Sequence, residues 1–423
     1  MAILAPEATL ETATKKVTVK DVYDTNPWVS NKGDLLAELK SHVTVKTELT
    51  DYKFASAVEQ NALVYDCEKL RPIIATHDGR REVMAELGRA LLSGPGILAF
   101  KKMFTDTSVI DRVSKTFWQI IDEQHARGEA KGDHYAKPGS NDRVWNVQEK
   151  LALRDPEAFV DYFSNDFISL IATAWLGPGY QITTQVNVVN PGGDAQQPHR
   201  DYHLGFMTDE QAMNFPTHVH LLSASMTLQG AVAHTEMSRE SGPTMYLPHS
   251  QKMESGYVAW RNPEIKKYFA ENFSQLPLNK GDGAFFNPAV FHAAGTNQTK
   301  DFKRMANLTQ IGSAFGRTLE TVDREQMSNA IYPVLRSRKA EGWSESELKN
   351  VVAASAEGYA FPTNLDRDPP LKGLAPQSQA DLVWQALSSD QTPEQLRKEL
   401  SAMGERQKQI KFKSGRLNDY CLN

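Results

Sequence analysis

The chain has 423 residues, is 40% hydrophobic and 23% charged, and carries a formal charge of −5, a globular composition with room for one large domain plus additions or for two domains. The balance and the absence of a polybasic stretch argue against nucleic acid or an anionic membrane as the main partner. Two cysteines, Cys67 and Cys421, exclude a cysteine-ligated zinc or iron–sulfur site within one chain and suit a reducing compartment. No apolar run approaches the roughly 18–20 residues of a membrane span, and residues 1–7 lack a secretory pattern, so a cytoplasmic location is expected.

In chain order, residues 1–60 are polar and weakly periodic and predict an extended or short-helical arm over the core. Residues 81–92 carry Val83, Met84, Leu87 and Leu91 at helical spacing, stopped by Ser93-Gly94-Pro95-Gly96. A short buried strand follows at 97–100. A second helix runs from about Thr105, with Val109, Val113, Phe117, Ile120 and Ile121 on one face. Residues 128–150 predict a long loop of the kind that often forms a lid or binding loop, with His134, Tyr135, Arg143 and Trp145 able to touch a substrate. One amphipathic helix is expected over 156–175, with Pro156 in its first turn.

From Tyr180 the period becomes two. Ile182, Thr184, Val186 and Val188 share one face; Thr183, Gln185, Asn187 and Val189 share the other. An amide-bearing face belongs on a buried strand only where it lines a polar pocket. Further strands are expected at 218–228, 244–247, 284–287, 290–293 and 304–313, punctuated by Gly, Pro and Asn. Such a series predicts a sandwich or jelly roll. Beyond Leu319 the chain returns to helix, with capping patterns at Ser344/Glu347, Ser378/Asp381 and Thr392/Gln395. These helices are expected to pack on the core or on a second subunit, which leaves room for a homodimer. The expected organisation is an arm at 1–76, a β core at 77–320 and a helical extension at 321–423.

The chemistry gathers between Gln181 and Arg317. Residues two apart on a strand share a face, so His199 and Asp201 can present an imidazole and a carboxylate to one metal, and His292 follows a strand far along the chain. Two histidines and one carboxylate occupy one face of an octahedron and leave positions open, which suits Fe(II). Zinc accepts the same ligands. Arg304 lies 12 residues after His292 (304 − 292) and can fork onto the carboxylate of a 2-oxoacid. The other histidines, His218, His220, His234 and His249, are read as packing or hydrogen-bonding groups.

The chain resembles the phytanoyl-CoA dioxygenase family of Fe(II)/2-oxoglutarate-dependent oxygenases. The likeness is carried by His199-Arg200-Asp201-Tyr202-His203, by Ser241-Gly242-Pro243-Thr244-Met245-Tyr246-Leu247-Pro248-His249-Ser250, by His292 through Arg304, and by Gly96-Ile97-Leu98-Ala99-Phe100, over roughly residues 80–320. It implies a mainly β core with α, a double-stranded β-helix (jelly roll) flanked by N- and C-terminal helices. It implies iron on His199, Asp201 and His292, with 2-oxoglutarate and O2 as co-substrates. Arg304 would take the distal carboxylate, with Gln185 beside the co-substrate. The family often has Ser or Thr two residues after the distal histidine; here Ala294 stands there, and Thr296 is the substitute candidate. His203 is expected just behind the ligands, and Asn187, His203, His134 and Arg143 near a small-molecule substrate. Pocket walls are expected from 128–150, the segment after His203, and the surroundings of Met226 and Met245. The implied activity is hydroxylation, desaturation or cyclisation of that substrate, with 2-oxoglutarate converted to succinate and CO2. Asp201 argues against a halogenase, and the sparse basic residues argue against a CoA thioester. The rival readings are a cupin-like enzyme or hydrolase that ignores 2-oxoglutarate and has no use for Arg304, and a non-catalytic scaffold that binds no metal tightly and is indifferent to loss of His292.

Overall fold

In the computed structural model, residues 28–129, 132, 139–370 and 373–409 are described. His134, Tyr135 and Cys421 lie outside them. Among the described residues the strands are β1 (Ala57–Glu59), β2 (Ala62–Asp66), β3 (Ile97–Lys101), β4 (Asn141–Val144), β5 (Gln181–Val189), β6 (Thr227–Ala233), β7 (Met245–Leu247), β8 (Ser274–Gln275), β9 (Gly283–Phe286), β10 (Phe291–Ala293) and β11 (Arg304–Gly312). Eight form one sheet in the order β1-β2-β3-β9-β6-β11-β5-β4, and β10-β7-β8 form a second. The pairs are antiparallel except β2 with β3. This is a mixed-sheet jelly-roll core with flanking helices, in which the large sheet is not closed.

Alternation sorts the large sheet's two faces. Phe100, Ile182, Val186, Val188, Leu228, Val232, Phe285 and Met305 point into a hydrophobic cluster shared with the helices. Ala99, Ala231, Ala284, Phe286 and Ala306 point the other way and pack with Tyr246 and Val290. Burying one face under helices and the other against the small sheet satisfies both. The C-terminal helices Arg324–Ala340, Glu345–Ser355, Gln379–Ser388 and Pro393–Gln407 join the helical cluster through Met327, Ile331, Leu335, Val351, Val383 and Leu400. All three expected capping boxes are formed.

The structure departs from the sequence-based expectations at four places. Within the expected arm, residues 57–66 form β1 and β2, which extend the large sheet. Within the expected loop, β4 pairs with β5 from Asn141↔Val189 to Val144↔Val186, and a helix covers Val147–Arg154. Asn-Asp-Arg-Val has no alternation of its own; its partner strand supplies the order. The single helix at 156–175 is two, Pro156–Phe163 and Asp166–Leu176. Ser164 Oγ bonds back to the Asp161 carbonyl, while Asn165 caps the next helix at the Phe167 N–H, so local side chains break and restart the ladder. Residues 217–225 are helical rather than strand. Their buried positions are His220, Ser223 and Ala224, a spacing of three and four that fits a helix.

Candidate metal and co-substrate site

His199 and His292 face each other across an antiparallel bridge: each backbone N–H donates to the other's carbonyl, at 3.0 and 3.1 Å. The ring centroids stand 4.5 Å apart. Beyond His199 the chain leaves the bridge. Asp201 N–H donates to the Pro288 carbonyl, Tyr202 adopts φ +50°, and a 3-10 turn covers His203–Phe206. A regular strand through Asp201, expected from the sequence, is therefore absent. The bend nonetheless brings Asp201 to both rings: Oδ1 is 3.6 Å from His199 Nε2, and Oδ2 is 3.4 Å from His292 Nε2.

The hydrogen bonds settle the imidazole tautomers. His199 Nδ1 lies 2.9 Å from the Gln197 carbonyl, and His292 Nδ1 lies 2.9 Å from the Val290 carbonyl. A carbonyl only accepts, so each Nδ1 carries a proton and each Nε2 is the nitrogen turned toward Asp201. One donor atom from each of the three residues lies within 4.8 Å of the others. Burial would raise the Asp201 carboxyl, but the two histidines and a bond from Gln229 outweigh it and hold it below the usual carboxylate range. Two imidazole nitrogens and one carboxylate oxygen are a donor set that fits Fe(II).

Arg200, between the two ligands in sequence, turns away from them. It is fully buried, with its guanidinium donating to the Ser250 and Met253 carbonyls and lying over the Tyr257 and Phe291 rings. A Cβ on Gly256 would sit 1.9 Å from Arg200 Cζ, so only glycine leaves room. Arg200 thus ties the ligand segment to the loop beside the small sheet. Arg200→Met is expected to destabilise the protein by about 3 kcal/mol, since two buried carbonyls lose a charged donor. Chemical denaturation measures this, and a change under about 0.5 kcal/mol would refute the anchoring role.

The three ligand candidates line a cavity of about 160 Å³ together with Arg304. Arg304 is 5% exposed, gives Nη1 to the Ser241 carbonyl at 3.1 Å, and forms no ion pair among the described residues. Desolvation lowers it to about 10, so it remains a cation at neutral pH. A buried guanidinium lining a cavity without a carboxylate partner is built to receive an anion. Gly242, at φ +69°, shapes this end: a Cβ there would lie 2.2 Å from the Thr296 carbonyl oxygen.

The expected residues divide. Asn187 and Arg143 line the cavity, as do Trp145, Tyr202, Phe206 and Gln310. Gln185 is not in the lining; its amide donates to Glu320 instead. Thr296 is also outside it, with its hydroxyl accepting the Ala195 N–H at 3.0 Å. Ala294 does face the cavity, and Thr244 and Tyr246 line it with Arg304. Tyr246, raised to about 12 by burial, bonds to Thr244. His203 sits behind the wall against Ser223. Met226 and Met245 do not line the cavity, whereas Met237 does. Arg200, Thr244 and Gln229 escaped the sequence reading. Gln229 had a usable signal, an amide inside the otherwise apolar run Leu228 to Ala233.

A family model described as phytanoyl-CoA dioxygenase (PhyH) matches residues 81–305. The chain belongs to the phytanoyl-CoA dioxygenase family. It is a non-heme enzyme that uses Fe(II), 2-oxoglutarate and O2. No curated protein matches the chain. Among solved structures it is similar to the non-heme alpha ketoglutarate dependent epimerase SnoN from nogalamycin biosynthesis, at 16% identity over 59% of this chain and 85% of that one, TM-score 0.39. It is also similar to the carbocyclase SnoK from nogalamycin biosynthesis (17%, 54% and 83%, TM-score 0.36) and to EvdMO1 (15%, 54% and 50%, TM-score 0.40). No described helix is long and apolar enough to cross a membrane.

Proposed function

We propose that His199, Asp201 and His292 hold the Fe(II) of this oxygenase and that Arg304 anchors the distal carboxylate of 2-oxoglutarate. The carrying observation is the convergence, on one cavity, of two imidazole Nε2 atoms, one carboxylate and a buried cation without an acidic partner among the described residues. Thr244, helped by Tyr246, takes the hydroxyl role that Ala294 cannot fill. Bound here, Fe(II) and 2-oxoglutarate would supply the oxidising chemistry together with O2, one oxygen atom of which passes into succinate as CO2 is lost.

The protein's own part is placement. The carbonyls of Gln197 and Val290 keep both imidazoles aimed, with Nε2 toward Asp201. Arg304 fixes one end of the co-substrate, so its reactive end has one direction to face. The apolar wall of Ala231, Phe286, Ala306 and Leu308 excludes water from the middle of the cavity. On the far side, Arg143 stacks over Trp145, with ring centroid to Cζ at 4.6 Å, and stands with Asn187 and Tyr202 around the place left for a substrate. We assign that place to a small organic molecule that is hydroxylated, desaturated or cyclised.

The test is a screen of small molecules for substrate-dependent succinate release by the iron-loaded protein. Release that requires both 2-oxoglutarate and an added compound supports the reading. Turnover of a compound in the complete absence of 2-oxoglutarate would overturn it.

A further inference from the structure

We propose that Gln229 is the positioning residue of Asp201 and that its other face selects a ligand bearing an N–H or O–H. The proposal rests on the reading of Asp201 as a metal ligand. Gln229 stands on β6 with Phe286 and Gln310 as its register partners on either side, and it lines the cavity while only 3% exposed. Its Nε2 donates to Asp201 Oδ2 at 2.5 Å.

That bond fixes which way the amide is turned. A carboxylate offers no proton, so the amide nitrogen must face Asp201 and the amide oxygen must face elsewhere. That oxygen, Oε1, is buried and has no hydrogen-bond partner among the described residues. The neighbouring amide does not supply one: Gln310 Oε1 is itself an acceptor, taking the Tyr202 hydroxyl at 2.6 Å. A buried acceptor without a donor is costly, and the residue that carries it lines the cavity beside the candidate ligands.

Two consequences follow. With Oδ2 held by the amide, the carboxylate cannot rotate freely, and Oδ1 is the oxygen left without an amide donor. A ligand lying against Gln229 satisfies Oε1 if it carries a hydroxyl, ammonium or amide N–H; a bare hydrocarbon there leaves it unmet. The substrate class is thus a hydroxy or amino compound that places its donor next to the reacting centre.

The experiment uses the full chain with Mn(II) as the probe, its affinity measured by electron paramagnetic resonance, together with the Tm of the metal-free protein. Gln229→Met keeps the side chain's length and removes both polar atoms. It is expected to weaken Mn(II) binding at least about tenfold while leaving the metal-free Tm unchanged or raised, because the unmet oxygen is gone. Mn(II) affinity within twofold of the parent overturns the positioning role, whatever happens to Tm. Failure of the parent itself to bind Mn(II) would instead strike the triad reading. For selection, alcohols or amines and their hydrocarbon counterparts are compared for succinate release. Donor-bearing members are expected to be favoured by at least about tenfold, with the preference lost in Gln229→Met. Equal turnover of the hydrocarbon member overturns it.

Discussion

Asp201→Ala is expected to lower substrate-dependent succinate release by more than about a hundredfold, beyond the 10–100-fold that groups outside the ligand shell typically carry. The reason is charge as well as count. Asp201 is the one anionic member of the set, and His199 and His292 each spend Nδ1 on a carbonyl and leave Nε2 for a metal. Two imidazoles alone hold a divalent cation weakly. The loss should appear in the Mn(II) affinity of the variant as well as in turnover, and circular dichroism should show a folded chain. Unimpaired turnover in Asp201→Ala would remove these residues from the metal site.

Arg304→Ala is expected to weaken 2-oxoglutarate binding by about 3 kcal/mol, roughly 150-fold in Kd. The guanidinium is buried, donates to one protein carbonyl and forms no ion pair among the described residues, so most of its electrostatic stabilisation waits on the incoming carboxylate. Anaerobic titration of the metal-loaded protein measures Kd directly. Rates should recover substantially at saturating 2-oxoglutarate, because the residue anchors the end remote from the reaction. Arg304→Lys should recover only part of the affinity, since an ammonium lacks the planar fork. Thr244→Val should cost about fivefold, as expected for one neutral hydrogen bond, and Thr296→Val nothing, since that hydroxyl serves a backbone N–H. A Kd for Arg304→Ala within threefold of the parent would free this cation from the co-substrate and revive a hydrolase or cupin-like reading.

How much of this was legible in the chain depends on whether the signal was local. The alternation of β5 announced both its faces, and the amide on one of them, Asn187, does line the cavity. The capping boxes at Ser344, Ser378 and Thr392 formed as written, because a cap is complete within four residues. His199, Asp201, His292 and Arg304 could be picked out by residue type and spacing, and the structure gathers all four around one cavity. What stayed hidden depends on partners remote in sequence. β4 is ordered by β5, and β2 by β3. Gln185 and Thr296 have the right chemistry for the co-substrate, but neither lines the cavity: the Gln185 amide nitrogen donates to Glu320 and the Thr296 hydroxyl accepts the Ala195 N–H. Thr244, rather than Thr296, lines the cavity with Arg304 because it leads into β7, which runs beside β10, a pairing that no local pattern encodes.

The bridge between His199 and His292 joins points 93 residues apart (292 − 199) through two backbone hydrogen bonds. On the triad reading, a cation held by both imidazoles closes that loop a second time, as a covalent crosslink would, and restricts the unfolded chain far more than the folded one. Iron occupancy and resistance to unfolding then become one linked quantity. A cell short of iron would hold not an idle enzyme but a looser one, more exposed to proteolysis.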